Sequence, residues 1–486
     1  STLLEQLEPE HFNTAKCKNR LWTDFVRPKI AQTLDAFRMN DETTKSYVHR
    51  MLTFVAREHL LAKIGVPGRE ASGISSLWSC SLEEKIVAGS IYYNLTILPK
   101  YDDGGKTEFL TFTFPSDENT ATSPLTYLPN FRPGESALLY KYKTGTTPDI
   151  RKAIVFRVTL VDILPDSIQI CLRNPQHNTT FFQPDPHYSW AIEKDSTESS
   201  FATLYRSVYS ILDTIPERRQ LLLGQRKPRI NTELSLLGDY SIDGKSPHFN
   251  KLILSAKQAQ DYFLLVGPPG TGKTSFGMRN ILMEELSSSN EGVLLVSYTN
   301  RAIDEICSKL VEEGLDFLRI SSPNACPPSY QTYLLNERAK RCVSIKEVEE
   351  LLLNTRIVVG TSTSLTNSLQ IFSLRSFGLA IIDEASQILE PQLLGLLCAC
   401  HKGKEAIKRF VMIGDHKQLP AVVQQEACDS VVKDEGLRSI GLEDCRESLF
   451  QRLLRINDNP SLVFHFRHQG RMHPEVARFA NETFYE

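Results

Sequence analysis

No stretch of this 486-residue sequence approaches the roughly 18 consecutive apolar residues that a membrane-spanning helix needs. The N-terminus, Ser1-Thr2-Leu3-Leu4-Glu5, lacks the basic-then-apolar order of a secretory signal, and it does not begin with Met, which suggests trimming or a piece of a longer chain. Glycine and proline, 25 of each, make up about a tenth of the residues, so collagen-like and low-complexity readings are excluded. Neither sign of charge is in excess: 55 Lys and Arg face 58 Asp and Glu, a net charge of −3. That balance gives no vote for nucleic acid, although a local basic groove can sit inside a neutral total. The ten cysteines contain no CxxC pair, and no His pair at zinc-ligand spacing accompanies them. Cys398 and Cys400, one residue apart, are a weak metal pattern. The usage is that of thiols in a reducing compartment and implies an intracellular protein, cytoplasmic, or nuclear if eukaryotic, with no membrane partner. Internal repeats are also absent.

What is present is a change of period along the chain. Apolar residues recur at helical spacing to about residue 65, through Trp22, Phe25-Val26, Ile30, Leu34, Phe37, Tyr47, Met51 and Phe54-Val55. From about 75 to 175 the period is two, and five short strands are expected: 91–97, 109–114, 136–142, 154–160 and 167–172. Turn clusters such as Asp102-Asp103-Gly104-Gly105 and Arg132-Pro133-Gly134 separate them. Short strands at this spacing predict a small barrel or sandwich. Residues from about 190 to 235 read as helix again, and Arg226-Lys227-Pro228-Arg229 reads as a solvated basic run. From 260 the pattern is β-α alternation, with continuous apolar runs at 263–266, 293–296, 357–359, 379–382 and 410–413. Runs without alternation fit strands covered on both faces, as in a parallel sheet between helices. The expected fold class is therefore α/β with a parallel sheet, preceded by a small β-barrel and a helical stalk. The expected divisions are a helical arm over 1–70, a barrel over 71–185, a stalk over 186–245, a parallel-sheet domain over 246–458 and the start of a further domain over 459–486.

Ligands of open parallel sheets bind at the carboxyl ends of the strands, and each apolar run here is followed by a polar segment. The first is Gly267-Pro268-Pro269-Gly270-Thr271-Gly272-Lys273-Thr274, with Ser275 next, a full phosphate-loop pattern between strand and helix. Its backbone N–H groups can cradle phosphate oxygens, Lys273 can place a cation on the β- and γ-phosphates, and the Thr274 hydroxyl can hold Mg²⁺, so ATP and Mg²⁺ are the expected cofactors. The fourth run ends in Asp383-Glu384, where Asp383 can hold Mg²⁺ and Glu384 can orient or deprotonate the attacking water. Alone, such a pair fits a helix N-cap equally well; beside the upstream loop, the metal reading gains. The fifth ends in Gly414-Asp415-His416-Lys417-Gln418-Leu419-Pro420, in which Gln418 can sense the γ-phosphate or the lytic water. The second and third runs are followed by Thr299-Asn300-Arg301-Ala302-Ile303-Asp304 and by Gly360-Thr361-Ser362-Thr363. Thr299, Asn300, Thr361 and Ser362 are short polar side chains that can either touch a nucleic-acid backbone or cap a helix. Arg471, in Gln469-Gly470-Arg471-Met472-His473-Pro474, is either a surface charge or a cation for a neighbouring domain's triphosphate.

These motifs in this order resemble superfamily-one helicases, in particular the branch of the nonsense-mediated-decay RNA helicase and the replication nuclease-helicase. The resemblance is rich in motifs from about 255 to 486 and architectural only before that. It implies a RecA-like first motor domain, Mg²⁺-dependent NTP hydrolysis and 5′-to-3′ movement on single-stranded DNA or RNA. Lys273, Thr274, Asp383, Glu384 and Gln418 match the hydrolytic residues, and Arg471 the arginine finger. Thr299, Asn300, Thr361 and Ser362 match positions that touch the strand. Three departures stand out. Gly470 occupies the place of an aromatic residue, no adenine-reading Gln lies well upstream of the loop (Gln258 and Gln260 are too near Gly267), and most of a second RecA-like domain is expected beyond Glu486. Hydrolysis by this length alone is expected to be weak, and a fused nuclease or other effector is a possible partner. The alternative function is a non-translocating ATPase switch or a nucleic-acid-binding scaffold.

Overall fold

The computed structural model describes residues 5–12, 20, 22–65, 80–99, 107–115, 129–195, 199–241, 247–466, 473, 478 and 481–485. The chain divides into two compact units, one made of residues 57–199 and the other of residues 1–56 together with 200–486.

The smaller unit is a closed antiparallel barrel of six strands: β1 (Ile91–Ile97), β2 (Thr107–Thr113), β3 (Ser136–Lys143), β4 (Val155–Ile163), β5 (Ser167–Gln176) and β6 (Tyr188–Lys194), in the order β1-β2-β5-β4-β3-β6. Alternate residues point inward, so Leu95, Phe112, Leu139, Leu160, Ile170 and Ile192 fill the interior. Closure is completed by β6, which lies in a stretch expected to be stalk. The barrel therefore runs on to Lys194, past the expected boundary at 185. Glu193 on β6 hides the alternation, because its carboxylate points into the structure. It is 1% exposed and takes the Lys85 ammonium at 2.9 Å and the Tyr140 hydroxyl.

The larger unit holds a seven-stranded parallel sheet. Its strands are β7 (Tyr262–Val266), β8 (Val293–Ser297), β9 (Phe317–Ile320), β10 (Ile357–Thr361), β11 (Phe377–Ile382), β14 (Ile407–Gly414) and β15 (Val463–His465), in the order β15-β7-β14-β11-β8-β10-β9. A two-stranded hairpin, β12 (Cys400–His401) and β13 (Lys404–Glu405), precedes β14. The five expected apolar runs all lie in strands and are buried throughout. Their apolar runs are continuous because both faces are covered. Leu264, Leu294, Val358, Ala380 and Met412 pack on one side, and Phe263, Leu265, Leu295, Val359 and Ile381 on the other. Two strands escape the apolar pattern. β9 carries a fully buried Arg319 that pairs with Asp304 at 2.5 Å. β15 is three residues long and pairs with β7, so the sheet extends beyond the expected domain boundary at 458.

The helices that bear on the sheet are α1 (Arg27–Met39), α2 (Glu42–Ile64), α3 (Ser199–Asp213), α4 (Pro216–Leu222), α5 (Pro247–Gln258), α6 (Arg279–Ser288), α7 (Asn300–Glu312), α8 (Glu390–Leu397) and α9 (Leu449–Ile456). The expected arm and stalk are not separate bodies. Phe37, Tyr47, Val48, Met51 and Phe54 of the arm join Val208, Ile211 and Leu221 of α3 and α4 in the core over one sheet face. A buried ion cluster fixes this layer. The Tyr47 hydroxyl donates to Glu390 Oε1 at 2.6 Å, and Arg452 of α9 holds both oxygens of the same carboxylate while also donating to the Leu222 carbonyl at 2.7 Å. In the basic run at 226–229, Lys227 and Arg229 are exposed as expected and Arg226 is half-buried, but the run also has a fixed partner. Arg226 and Arg229 each form two-pronged contacts with Asp261, a residue 2% exposed at the foot of β7. Burial opposes ionisation of Asp261, yet the two guanidiniums hold its carboxyl well below the usual range.

Candidate nucleotide site

The sheet's carboxyl edge gathers the motif residues. β7 delivers the chain at Gly267, whose N–H is held by the Gly414 carbonyl at the end of β14 (3.2 Å). The loop then turns through Gly270 and Gly272, at φ 76° and 87°, a region that side chains avoid and glycine does not. At Gly267 the constraint is space: a Cβ there would lie 2.7 Å from Thr271 Oγ1 and 3.0 Å from Lys273 Cγ. Helix begins at once with Lys273, so the N-terminal amides of that helix and the glycine amides converge, as anion binding requires. Lys273 is buried, with its ammonium donating to the Gly267 carbonyl at 2.8 Å across the mouth of the loop. A phosphate entering there would replace that carbonyl as the cation's partner.

The end of β11 stands beside the loop. Thr274 Oγ1 donates to Asp383 Oδ2 at 2.8 Å, and the Glu384 N–H donates to Oδ1 at 3.0 Å. A hydroxyl and a carboxylate meeting in this way form a hard-oxygen donor set. It fits Mg²⁺, which takes one or two carboxylates plus phosphate oxygens rather than a closed protein cage. Among the described residues no cluster of three or more His, Cys, Asp or Glu could hold a metal by itself. Asp383 is 3% exposed, and burial, followed by the adjacent Glu384 charge, pushes its carboxyl up to about 6 against the pull of Thr274 and Lys273. Glu384 adopts φ 53°, a left-handed conformation that turns its side chain out of the strand line into the pocket. Gln418 also lines the pocket. It is steered by Asp415, which accepts its amide at 2.9 Å and the Tyr485 hydroxyl at 2.5 Å.

The raised carboxyl of Asp383 has a measurable consequence. Between about pH 4 and 6 the folded carboxyl keeps a proton that the unfolded one, with its ordinary value of 3.8, has lost. Stability from this group is thus present below that window and is lost as pH rises through 6, about 3 kcal/mol in all. Asp383→Asn is expected to melt higher than wild type at pH 7.5 in chelator without nucleotide, and the gap should close by pH 4. A gap of the same size at both pH values would refute this account.

The pocket so formed has a volume of about 1010 Å³ and is lined by the phosphate loop, Glu384, Gln418 and one face of α7. The α7 residues, Arg301, Glu305, Ser308 and Lys309, are absent from the sequence expectations; their i, i+4, i+7, i+8 spacing was the available signal. Asp415, which steers Gln418, carries no such signal in the sequence. Of the expected strand contacts, Thr299 and Asn300 are exposed at the start of α7. Thr361 and Ser362 are buried. The Thr361 hydroxyl caps the following turn by accepting from the Ser364 N–H at 3.1 Å, and Ser362 is fully enclosed, so its hydroxyl does not face solvent. Gln258 spends its amide on the carbonyls of Thr232 and Leu234, at 3.2 and 3.0 Å, which removes it as a base reader. Arg471 lies outside the described residues.

Residues 248–345 and 333–426 match a family model described as an AAA domain. The DNA replication ATP-dependent helicase/nuclease DNA2 of Gallus gallus is 31% identical over 312 residues, covering 61% of this chain and 29% of that protein. Its Homo sapiens counterpart is 36% identical over 238 residues, covering 49% and 20%. Among solved structures, an arterivirus nonstructural protein 10 helicase in complex with DNA is similar over 48% of this chain and 42% of that one, at 19% identity and a TM-score of 0.26. The loop and the parallel sheet define a phosphate-loop nucleotide site, and the stretch that carries them is similar in sequence to an AAA domain. In sequence the chain is similar to replication helicase/nucleases, and it spans less than a third of the length of these curated relatives.

Proposed function

We propose that the chain is the barrel and first motor portion of an ATP-dependent helicase, which couples Mg-ATP hydrolysis to 5′-to-3′ movement along single-stranded nucleic acid. The observation that carries this is the Thr274–Asp383 hydrogen bond beside Lys273 in the glycine cradle, with Glu384 and Gln418 on the same pocket. Lys273 and the loop amides bind and orient the β- and γ-phosphates, with Ser275 and the loop residues Pro268, Pro269 and Thr271 shaping the cradle. Thr274 and Asp383 would hold Mg²⁺, which when bound neutralises charge on the phosphates. Glu384 accepts a proton from the attacking water, and Gln418, fixed by Asp415, senses the terminal phosphate. Thr299 and Asn300 meet the strand backbone. Arg471 supplies a cation from a second RecA-like domain. DNA is the favoured strand because the relatives are named for DNA replication, and the 5′-to-3′ polarity rests on the family resemblance. The relatives' printed name, helicase/nuclease, supports a fused nuclease, and an intracellular, nuclear or cytoplasmic setting belongs to the same reading. Among the described residues no helix is long and apolar enough to cross a membrane.

The test is Mg²⁺-dependent ATP hydrolysis by the full-length protein with and without single-stranded DNA. Stimulation of roughly tenfold or more is expected, given that positioning and electrostatics supply most of the catalysis in this chemistry. Hydrolysis indifferent to both DNA and RNA would sink the motor reading.

A further inference from the structure

The nucleotide pocket has a wall that the motif residues do not account for. Helix α7 contributes Arg301, Glu305, Ser308 and Lys309, one face of the helix, to the lining that the phosphate loop shares. Strand order decides what that face meets. β7, β14, β11 and β8 are consecutive neighbours, so the phosphate loop, Gln418, Glu384 and Arg301 issue from four successive strand ends. Glu384, the group beside the attacked phosphate, stands between the loop and Arg301. A triphosphate whose inner phosphates lie on the loop amides therefore has its terminal phosphate on the Arg301 side.

The two α7 cations differ in their commitments. The Lys309 ammonium donates to Glu312 Oε2 at 2.8 Å. Arg301 has only a loose ion pair, 3.8 Å from Glu305, and its side chain is 91% exposed. An exposed pair of this kind holds its partners weakly, whereas a guanidinium offers paired donors matched to two phosphate oxygens. We infer that Arg301 reaches the terminal phosphate of a bound nucleoside triphosphate, a cation supplied by the same domain as the phosphate loop, and so makes the pocket discriminate triphosphate from diphosphate. The inference deepens the nucleotide-site reading above and rests on it. It also joins two sites on one element, because α7 starts at the exposed Thr299 and Asn300 and presents Arg301 to the pocket in its first turn.

The experiment measures affinity of the full chain, with Mg²⁺, for a non-hydrolysable ATP analogue and for ADP, in wild type, Arg301→Ala, Arg301→Lys and Lys273→Ala. Arg301→Ala is expected to weaken the analogue about tenfold and ADP by less than about twofold, the effect of losing one charge-assisted contact. Arg301→Lys should recover part of the loss, because it keeps the charge without the fork. Equal losses for both nucleotides, or no loss for either, overturn the inference. Normal analogue binding by Arg301→Ala beside failed binding by Lys273→Ala overturns it while leaving the nucleotide site standing. If Lys273→Ala binds both nucleotides as wild type does, the nucleotide-site reading falls and the inference falls with it.

Discussion

Replacing Lys273 by Ala should weaken nucleotide binding by about a hundredfold, and in the full-length protein it should cut DNA-stimulated hydrolysis by about 10² to 10³, the range for removal of one preorganised charge-stabilising group. The expectation follows from where the side chain already sits. Its ammonium is held on the Gly267 carbonyl inside a buried cradle, so the binding site for a phosphate is formed before the phosphate arrives. The fold should survive, because the cradle is set by glycine conformations and by the strand pairing of β7 with β14 rather than by the lysine. Nucleotide titration monitored by calorimetry, paired with a thermal melt, separates the two effects. A variant that melts like wild type and still binds ATP would remove the phosphate loop from the account.

The second large effect lies at the buried cluster of Tyr47, Glu390 and Arg452. Glu390→Ala leaves the Arg452 guanidinium, 1% exposed, with no carboxylate, and a buried charge without its partner costs about 3–5 kcal/mol. Tyr47→Phe removes one hydrogen bond and should cost about 1 kcal/mol. Urea unfolding of both variants and of the double variant checks the cluster. In the double variant the Tyr47 term should nearly vanish, because its acceptor is already gone. Glu390→Ala as stable as wild type would mean that the cluster does not hold the layer. Burial, then the carboxylate beside it, pushes the Tyr47 phenol well above its ordinary range, so it remains a donor at every working pH.

Much of this was legible in the sequence for one physical reason. Strands covered on both faces leave unbroken apolar runs, and the segments after them hold the chemistry, so the phosphate loop and Asp383-Glu384 stand out in the sequence itself. The elements that were missed break that signal. β9 buries Arg319, β6 buries Glu193, and β15 is too short to show a period. The basic run at 226–229 could not be told from a solvated one, because its partner, Asp261, lies 32 to 35 residues away. Thr361 and Ser362 show the converse limit: side-chain type fits both capping and strand contact, and only burial separates the two.

The larger unit is written in two pieces around residues 57–199, and this bears on how the protein is made. A ribosome finishes the arm first. The apolar face of Tyr47, Met51 and Phe54 then waits through the whole barrel and most of the sheet, because the carboxylate that receives Tyr47 lies 343 residues downstream. Until then the arm is a greasy helix without its sheet, at risk of pairing with other chains. The barrel can close on its own in the meantime, since its strands are contiguous. The arm is thus made before the sheet it covers and is among the last parts of the larger unit to find its place. The stretch matched by the AAA domain, made by itself, would leave bare the sheet face that the arm covers.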